Sequence, residues 1–368
     1  MLTWVEINKK RLEHNLHSFR EHIGPSVLLM PVVKSNAYGH GMLEVARICD
    51  ASSFVDRLAV VNNDEAVMLK LAGINKPIQI LSFFDKNDDS IIQSIKNEVT
   101  FPVYYAGQAI YLDKLATRIG KSVKIHIKID TGTTRTGIQP DEIENFLSSL
   151  SGLKKIVVEG IWSHFASSEA DPEFTNFQNK IFEKTCKKAQ NNLGKNFCLR
   201  HIACSAAAIL HKKTHFDAVR VGLGIYGLYP DESCRNKIDL KPILSWKTTI
   251  IQIKKIKKGT KISYGGTYTM KNDGYIAVLP VGYYDGYDRD WSNRSFVRIG
   301  KDVFPVRGRI CMNLSMVEVN SGVKAGDTAE LISGTSTPSV DQLTALSKNR
   351  INYEVTTRIN PVLPRIVV

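Results

Sequence analysis

The sequence has no run of about 18 or more apolar residues, which excludes a membrane-spanning helix. Its first stretch, MLTWVEINKKRLEHNL, lacks the basic head and apolar centre of a secretory signal, so a cytoplasmic protein is expected. Cysteine is scarce and unpatterned: six, at 49, 186, 198, 204, 234 and 311, with no CxxC pair. That argues against a disulfide framework or zinc site and for reduced thiols. No GxGxxG follows the first predicted strand, which weakens a dinucleotide-binding fold. Lys and Arg number 49 against 36 Asp and Glu, a net charge of +13, yet they are scattered; the densest group, KKIKKG at 254–259, falls in a predicted strand and turn. No helix-turn-helix, zinc-finger or RNP-like signature accompanies them. No nucleic-acid partner is expected, and the charge reads as solubility with a bias toward anions.

What is present is a regular alternation. Leu12, Leu16, Phe19 and Ile23 recur at helical spacing and stop at Gly24-Pro25. From VLLMPVVK onward, short apolar segments alternate with helical ones: RLAVV, PIQIL, TFPVYY, VKIHIKID, KKIVVEGIWSHF, LRHIAC and DAVRVG. Near-continuous apolar strands suit a parallel sheet covered on both faces, and eight such units in about 230 residues fit a (β/α)8 barrel (a TIM barrel). After residue 232 the pattern changes to alternating segments such as SWKTTIIQI, GYIAVLPVGYY, SFVRIG, VFPVRGRICM and DTAELIS, divided by Gly, Asn and Asp turns. The expected organisation is α/β: an N-terminal barrel over 1–232, then a mostly β domain over 233–368, with residues 1–8 candidates to join the latter.

In such a barrel, chemistry belongs where strands end. Lys34 closes the first strand in VVKSNAYGHG, Arg135 follows the fifth in KIDTGTTRTG, and His164 closes the sixth in IWSHFASSEAD. Ser205 follows the seventh in HIACSAAA, and Arg220 with Gly222 closes the eighth in VRVGLGIYG. The loops after the last two strands are the usual phosphate seat, and Ser205 opens a helix whose first amides favour an anion. A phosphate seat, a strand-end lysine and a buried arginine describe a site for pyridoxal 5'-phosphate, with the lysine as Schiff-base partner.

Motifs along the whole chain then resemble those of the alanine racemases: VVKSNAYGHG, DTGTTRTG, SHFASSEAD, CSAAA, RVGLGIYGLYP, SYGGTYT, GYYDGY, GRICMN and the final INYE…PR. The resemblance implies a homodimeric enzyme interconverting L- and D-alanine for peptidoglycan. Lys34 would carry the cofactor, Tyr38, Ser205, Gly222, Leu223 and Tyr353 its phosphate, and Arg220 would donate to its ring nitrogen. Arginine does not readily lose its proton, so that nitrogen would stay unprotonated, favouring return of the proton to Cα. Racemisation needs a group on each face of Cα; the resemblance assigns Lys34 and Tyr264. Tyr264 would come from the partner subunit of a head-to-tail dimer, polarised by His164 and Arg220. Arg135 would face the substrate carboxylate, closed by the partner's Met312, with Lys128, a carbamate-bearing position in the family, behind it. Tyr283 and Tyr353 resemble an inner gate for a small side chain, with Asp171 and Arg309 further out.

The chain departs from the family at Cys204, for an asparagine, at Thr133-Thr134, for Met-Gly, and at Asn313, for an aspartate. A broader or serine-preferring racemase is therefore the alternative reading. The related decarboxylases are disfavoured by the absence of a glycine triplet or CESGD-like motif. A non-catalytic carrier of the cofactor is disfavoured by the β domain that supplies Tyr264. His211 and His215 lie at i, i+4, but with Lys212 and Lys213 between them they read as a solvated helix end, and no metal is expected. YYDGYDRDW reads as gate and interface packing, Cys311 as a buried thiol, and His40 as packed beside the cofactor loop.

Overall fold

The computed structural model describes residues 1–84, 88–193 and 199–368, and Cys198 lies outside the described residues. The chain divides into two units, one of residues 13–35 and 46–240, the other of residues 1–12, 36–45 and 241–368.

After β1 (Thr3–Ile7) come eight short strands: β2 (Leu28–Pro31), β3 (Leu58–Val60), β4 (Ile78–Ile80), β5 (Phe101–Val103), β6 (Val123–Lys128), β7 (Ile156–Trp162), β8 (Leu199–His201) and β9 (Ala218–Val221). Parallel pairing runs β2–β9, β3–β4 and β5–β6–β7–β8. Single bridges, Val32 with Ala59 and Gln79 with Thr100, join β2 to β3 and β4 to β5. Backbone bonds from Asp217 to Arg200 and from Arg220 to Ala203, both 3.0 Å, close the ring between β8 and β9. The barrel expected from the alternation is thus formed, because β-branched runs flanked by helices have both faces buried.

Helices cover it, and their sequences explain them. Lys9–Ile23 buries Leu12, Leu16 and Phe19 completely, one stripe at 3.6-residue spacing, and ends at Gly24 with φ +81°. Burying each such side chain stabilises by about 1.5–3 kcal/mol. Asn62 caps Asn63–Leu71 by accepting from the Glu65 amide. Asp88–Lys96 buries Ile91 and Ile95.

The other unit is built on β1, which pairs antiparallel with β10 (Leu244–Thr249). It continues through β11 (Gln252–Ile256), β12 (Lys261–Ile262), β13 (Tyr268–Thr269), β14 (Gly274–Leu279), β15 (Phe296–Ile299), β16 (Asp302–Pro305), β17 (Ser315–Val319), β18 (Thr328–Ile332) and β19 (Arg365–Val367). One sheet has the order β16-β15-β18-β10-β1-β19; a second is β11-β14-β17, and β12 pairs with β13. The segment SWKTTIIQI, read as one strand, is two, because the chain leaves the first sheet at Ile250–Ile251 and enters the second at Gln252. Trp246, Tyr287 and Trp291 form edge-on pairs in the core, ring centroids 5.9 and 5.3 Å apart, and the Trp291 indole donates to Ser347. YYDGYDRDW therefore splits: Tyr287 and Trp291 are core, whereas Tyr283 and Tyr284 are exposed.

Between Lys34 and Gly39 the backbone does something the sequence did not advertise. Ser35, Asn36, Ala37 and Tyr38 have φ of +54°, +54°, +51° and +55°, one turn of left-handed helix without a glycine in it. Left-handed α conformation disfavours an L-residue by roughly 1–2 kcal/mol. Its neighbours hold it: the Asn36 side chain accepts from the Met42 amide at 3.0 Å, and the buried His40 Nδ1 donates to the carbonyls of Ala37 and Tyr38 at 2.9 and 3.2 Å. Arg365 donates to the Gly39 carbonyl at 3.0 Å and also to the carbonyls of Ile359, Asn360 and Leu363. At Gly39, φ is +87° and a Cβ would lie 1.9 Å from the Thr356 carbonyl oxygen, so only glycine fits.

Candidate active site

Four cations converge on the barrel's C-terminal rim, and each is there for a local reason. Lys34 follows β2, with the Val33 amide bonded to the Ala59 carbonyl at 2.8 Å. Glu65 accepts from the Ser35 and Val61 amides at 2.7 and 2.9 Å, fixing the backbone on either side of the site. Lys128 ends β6, donates to Thr136 Oγ1 and lies 4.6 Å from the Trp162 ring centroid. Arg220, on β9, is buried over the same ring at 4.8 Å. It donates to His201 Nδ1 at 2.6 Å, to the carbonyls of Ser163 and Ile202 at 2.7 and 3.0 Å, and to His164 Nδ1 at 3.2 Å.

Arg135 is presented by a loop wound around one carboxylate. Asp130 accepts from the amides of Gly132, Thr134 and Arg135 at 2.9, 3.1 and 3.0 Å. Burial opposes the Asp130 anion, but those amides hold its carboxyl below the ordinary range. The loop places Thr134, a β-branched residue, at φ +52° where the family pattern has glycine. Thr134→Gly should relieve this strain and raise stability by about 1 kcal/mol, net of the flexibility glycine adds to the unfolded chain; a rise of the thermal midpoint checks it.

The electrostatics follow from crowding. Burial, then Arg135 and Arg220, lowers the Lys34 amine, Glu65 opposing. The same two arginines, after burial, push Lys128 down to about 8. Arg220 itself is lowered to about 10, chiefly by burial. His164 is held well below its usual range by burial and then by Arg220, Arg135, Lys128 and Lys34, so its ring is neutral. Mutual depression of this kind marks a site short of negative charge.

On the same unit, Ser205 Oγ accepts from the Gly222 and Gly224 amides at 3.1 and 3.3 Å, leaving its own proton for an acceptor. Cys204, just before it, has Sγ 3.2 Å from Ser168 Oγ. Leu223 is buried and opens a short 3-10 turn.

Most of the remaining expected residues belong to the other unit. Tyr38 and Tyr353 face one another with ring centroids 5.8 Å apart. Tyr264 follows Ser263, which has φ +62°, and is 73% exposed; Met312, Tyr283 and Arg309 are exposed too, and none packs into a core. Asp171 is exposed and accepts from the Phe174 amide at 2.9 Å as the start of Pro172–Leu193. Two expectations are corrected. Cys311 is half-exposed rather than buried, because its Sγ faces Ser263 in an open turn. His215 is buried rather than solvated: it and His211 each direct Nε2 at a carbonyl 2.8 Å away, of Ala208 and Ser168. Among the described residues no group of three or more His, Cys, Asp or Glu could hold a metal, and no helix could cross a membrane. Sequence reasoning missed Asp130, Trp162 and His201; the signal was polar or bulky residues on, or just past, strands that otherwise read as aliphatic.

Two family descriptions match the chain: alanine racemase, N-terminal domain, over residues 7–230, and alanine racemase, C-terminal domain, over 243–367. An alanine racemase of Halothermothrix orenii is 37% identical across 99% of this chain and 96% of its own length. One of Methanococcus maripaludis is 36% identical over 99% and 98%. Among solved structures, an alanine racemase of Clostridium difficile superposes with a TM-score of 0.93 at 32% identity, covering 100% of this chain and 96% of that one.

Proposed function

This chain belongs to the alanine racemase family, and from that premise we propose that it interconverts L- and D-alanine with pyridoxal 5'-phosphate, supplying D-alanine for peptidoglycan, as a head-to-tail homodimer. The observation that carries the reading is the crowd of Lys34, Lys128, Arg135 and Arg220 around a neutral His164. The residues fit the cofactor. Cations that depress one another call for an anion, the Ser205 hydroxyl has a proton to give, and an amine driven toward its neutral form is fit for covalent attachment.

When bound, the group supplies an electron sink for the pair left behind as a proton leaves Cα. Lys34 would hold it covalently, and Tyr38, Ser205, Gly222, Leu223 and Tyr353 would hold its phosphate. Arg220 would donate to the ring nitrogen and, being unable to hand over its proton readily, would keep that nitrogen unprotonated. Arg135 would bind the substrate carboxylate together with the partner's Met312, its loop held by Asp130 and backed by Lys128. Once released, the Lys34 amine would take or return a proton at Cα on one face, while Tyr264 of the partner subunit would do so on the other. The exposure of Tyr264 and Met312 on their own chain supports their serving a second copy. Tyr283, Asp171 and Arg309 would line the approach.

The test is incubation of the protein and pyridoxal 5'-phosphate with L-alanine in heavy water, following chirality and Cα deuterium together. D-Alanine carrying deuterium at Cα is expected. Alanine left without exchange or inversion, while serine is racemised, would move the substrate; no exchange with either would overturn the activity.

A further inference from the structure

The barrel interior beneath Arg220 is polar where such barrels are usually filled with branched aliphatics. Arg220 Nη1 is 2.6 Å from His201 Nδ1, His201 Nε2 is 2.8 Å from His126 Nδ1, and His126 Nε2 is 3.0 Å from Glu159 Oε2. The same carboxylate oxygen accepts from Arg57 Nη2 at 2.7 Å and from Thr100 Oγ1 at 3.0 Å. Arg57 and Thr100 stand one residue before β3 and β5, so the series runs from the strands' N-terminal ends up to the rim.

Its direction is forced. Guanidinium has donors only, so His201 Nδ1 must accept. A neutral imidazole has one N–H, so His201 donates from Nε2 to His126 Nδ1, and His126 donates from Nε2 to Glu159. Burial keeps both rings neutral, holding His126 down at about 4 and His201 well below its usual range. The backbone is shaped for this. A bulge between Ile125 and His126 leaves Glu159 out of the β6–β7 register, which re-aims its side chain. Next to it, a Cβ on Gly160 would come within 2.9 Å of the His126 ring and 2.6 Å of the Leu199 carbonyl oxygen, so glycine makes the room.

We propose that Glu159 is a positioning residue for Arg220, acting through His126 and His201: its demand for a proton from His126 fixes both tautomers and turns a lone pair of His201 toward the guanidinium. With the tautomers reversed, His201 would present Nδ1–H to Nη1–H, two donors face to face, and Arg220 would lose its lateral anchor. The catalytic consequence rests on the racemase reading; the tautomers do not.

Ring-15N histidine NMR on the holoenzyme, with kcat and KM for L-alanine, tests this in the wild type, Glu159→Gln and the double variant Arg57→Met/Glu159→Leu. The double variant removes a buried ion pair together, so no lone charge is left to unfold the barrel. Wild type should show His126 and His201 as Nε2–H tautomers. Glu159→Gln keeps a carbonyl oxygen for His126, Arg57 and Thr100, and should retain both tautomers with kcat within about twofold. In the double variant only the Arg220 end still dictates the tautomers and the His126 Nε2–H has lost its acceptor, so both rings should shift to a mixture of tautomers, with kcat down roughly tenfold and KM within about twofold. Tautomers unchanged in the double variant, tautomers lost already in Glu159→Gln, or tautomers lost with kcat unchanged would each overturn the proposal. A wild type that fails to racemise would count against the functional reading alone, since the tautomer comparison stands without it.

Discussion

Lys34→Ala is expected to abolish racemisation, by at least about 10⁴-fold, because it removes the covalent anchor and one of the two proton-transfer groups at once. The same substitution should let the cofactor wash out on dialysis and erase its protein-bound absorption. Folding should survive. Burial, Arg135 and Arg220 all disfavour the charged form of Lys34, so alanine there relieves that penalty while losing only the attraction of Glu65. The thermal midpoint of the cofactor-free protein should therefore stay within a few degrees of wild type. A variant that keeps both cofactor and turnover removes Lys34 from the mechanism; one that simply fails to fold contradicts the electrostatic account of the rim.

Tyr264→Phe deletes one oxygen from an exposed side chain and should change stability by less than about 0.5 kcal/mol. Its effect on turnover should be about 10²–10⁴-fold in both directions, with cofactor still bound, since one face of Cα then lacks a proton donor and acceptor. The telling signature is isotopic. In heavy water one enantiomer of alanine should still exchange its Cα proton through Lys34, without inverting. Near-normal racemisation in both directions would rule out Tyr264 as the second group.

Much of the barrel was legible because its strands are short β-branched runs and its helices carry one apolar stripe each; Leu12, Leu16 and Phe19 announce theirs by spacing alone. Lys34, Arg135, His164 and Arg220 stood out as charged or titratable residues at strand ends, and the fold brings them together. Other features escaped because they are settled by tertiary contacts. Nothing in SNAY signals a left-handed turn, since its hold comes from His40, the Thr356 backbone and Arg365. Residues 1–8 were candidates for the β domain, and β1 does pair there with β10, but its parallel pairing with β19 could not be read, for it spans nearly the whole sequence. The pairing of His126 with Glu159 was not legible, because a bulge that re-aims one residue leaves no periodic trace.

The left-handed turn also sets an order of events. Four L-residues held at positive φ carry roughly 4–8 kcal/mol of strain, comparable with the whole net stability of many domains. The Arg365 grip on Gly39 that holds the turn spans 326 residues. At ribosomal rates of about 5–20 residues per second, the nascent segment bearing Tyr38 waits on the order of 15 s to a minute for its clasp to emerge. Until then Ser35–Tyr38 has every reason to relax to ordinary backbone. The Arg365 contact on Gly39 can therefore close only once nearly the whole chain has been made, and a stalled or C-terminally trimmed chain keeps the local bonds of Asn36 and His40 but lacks that clasp.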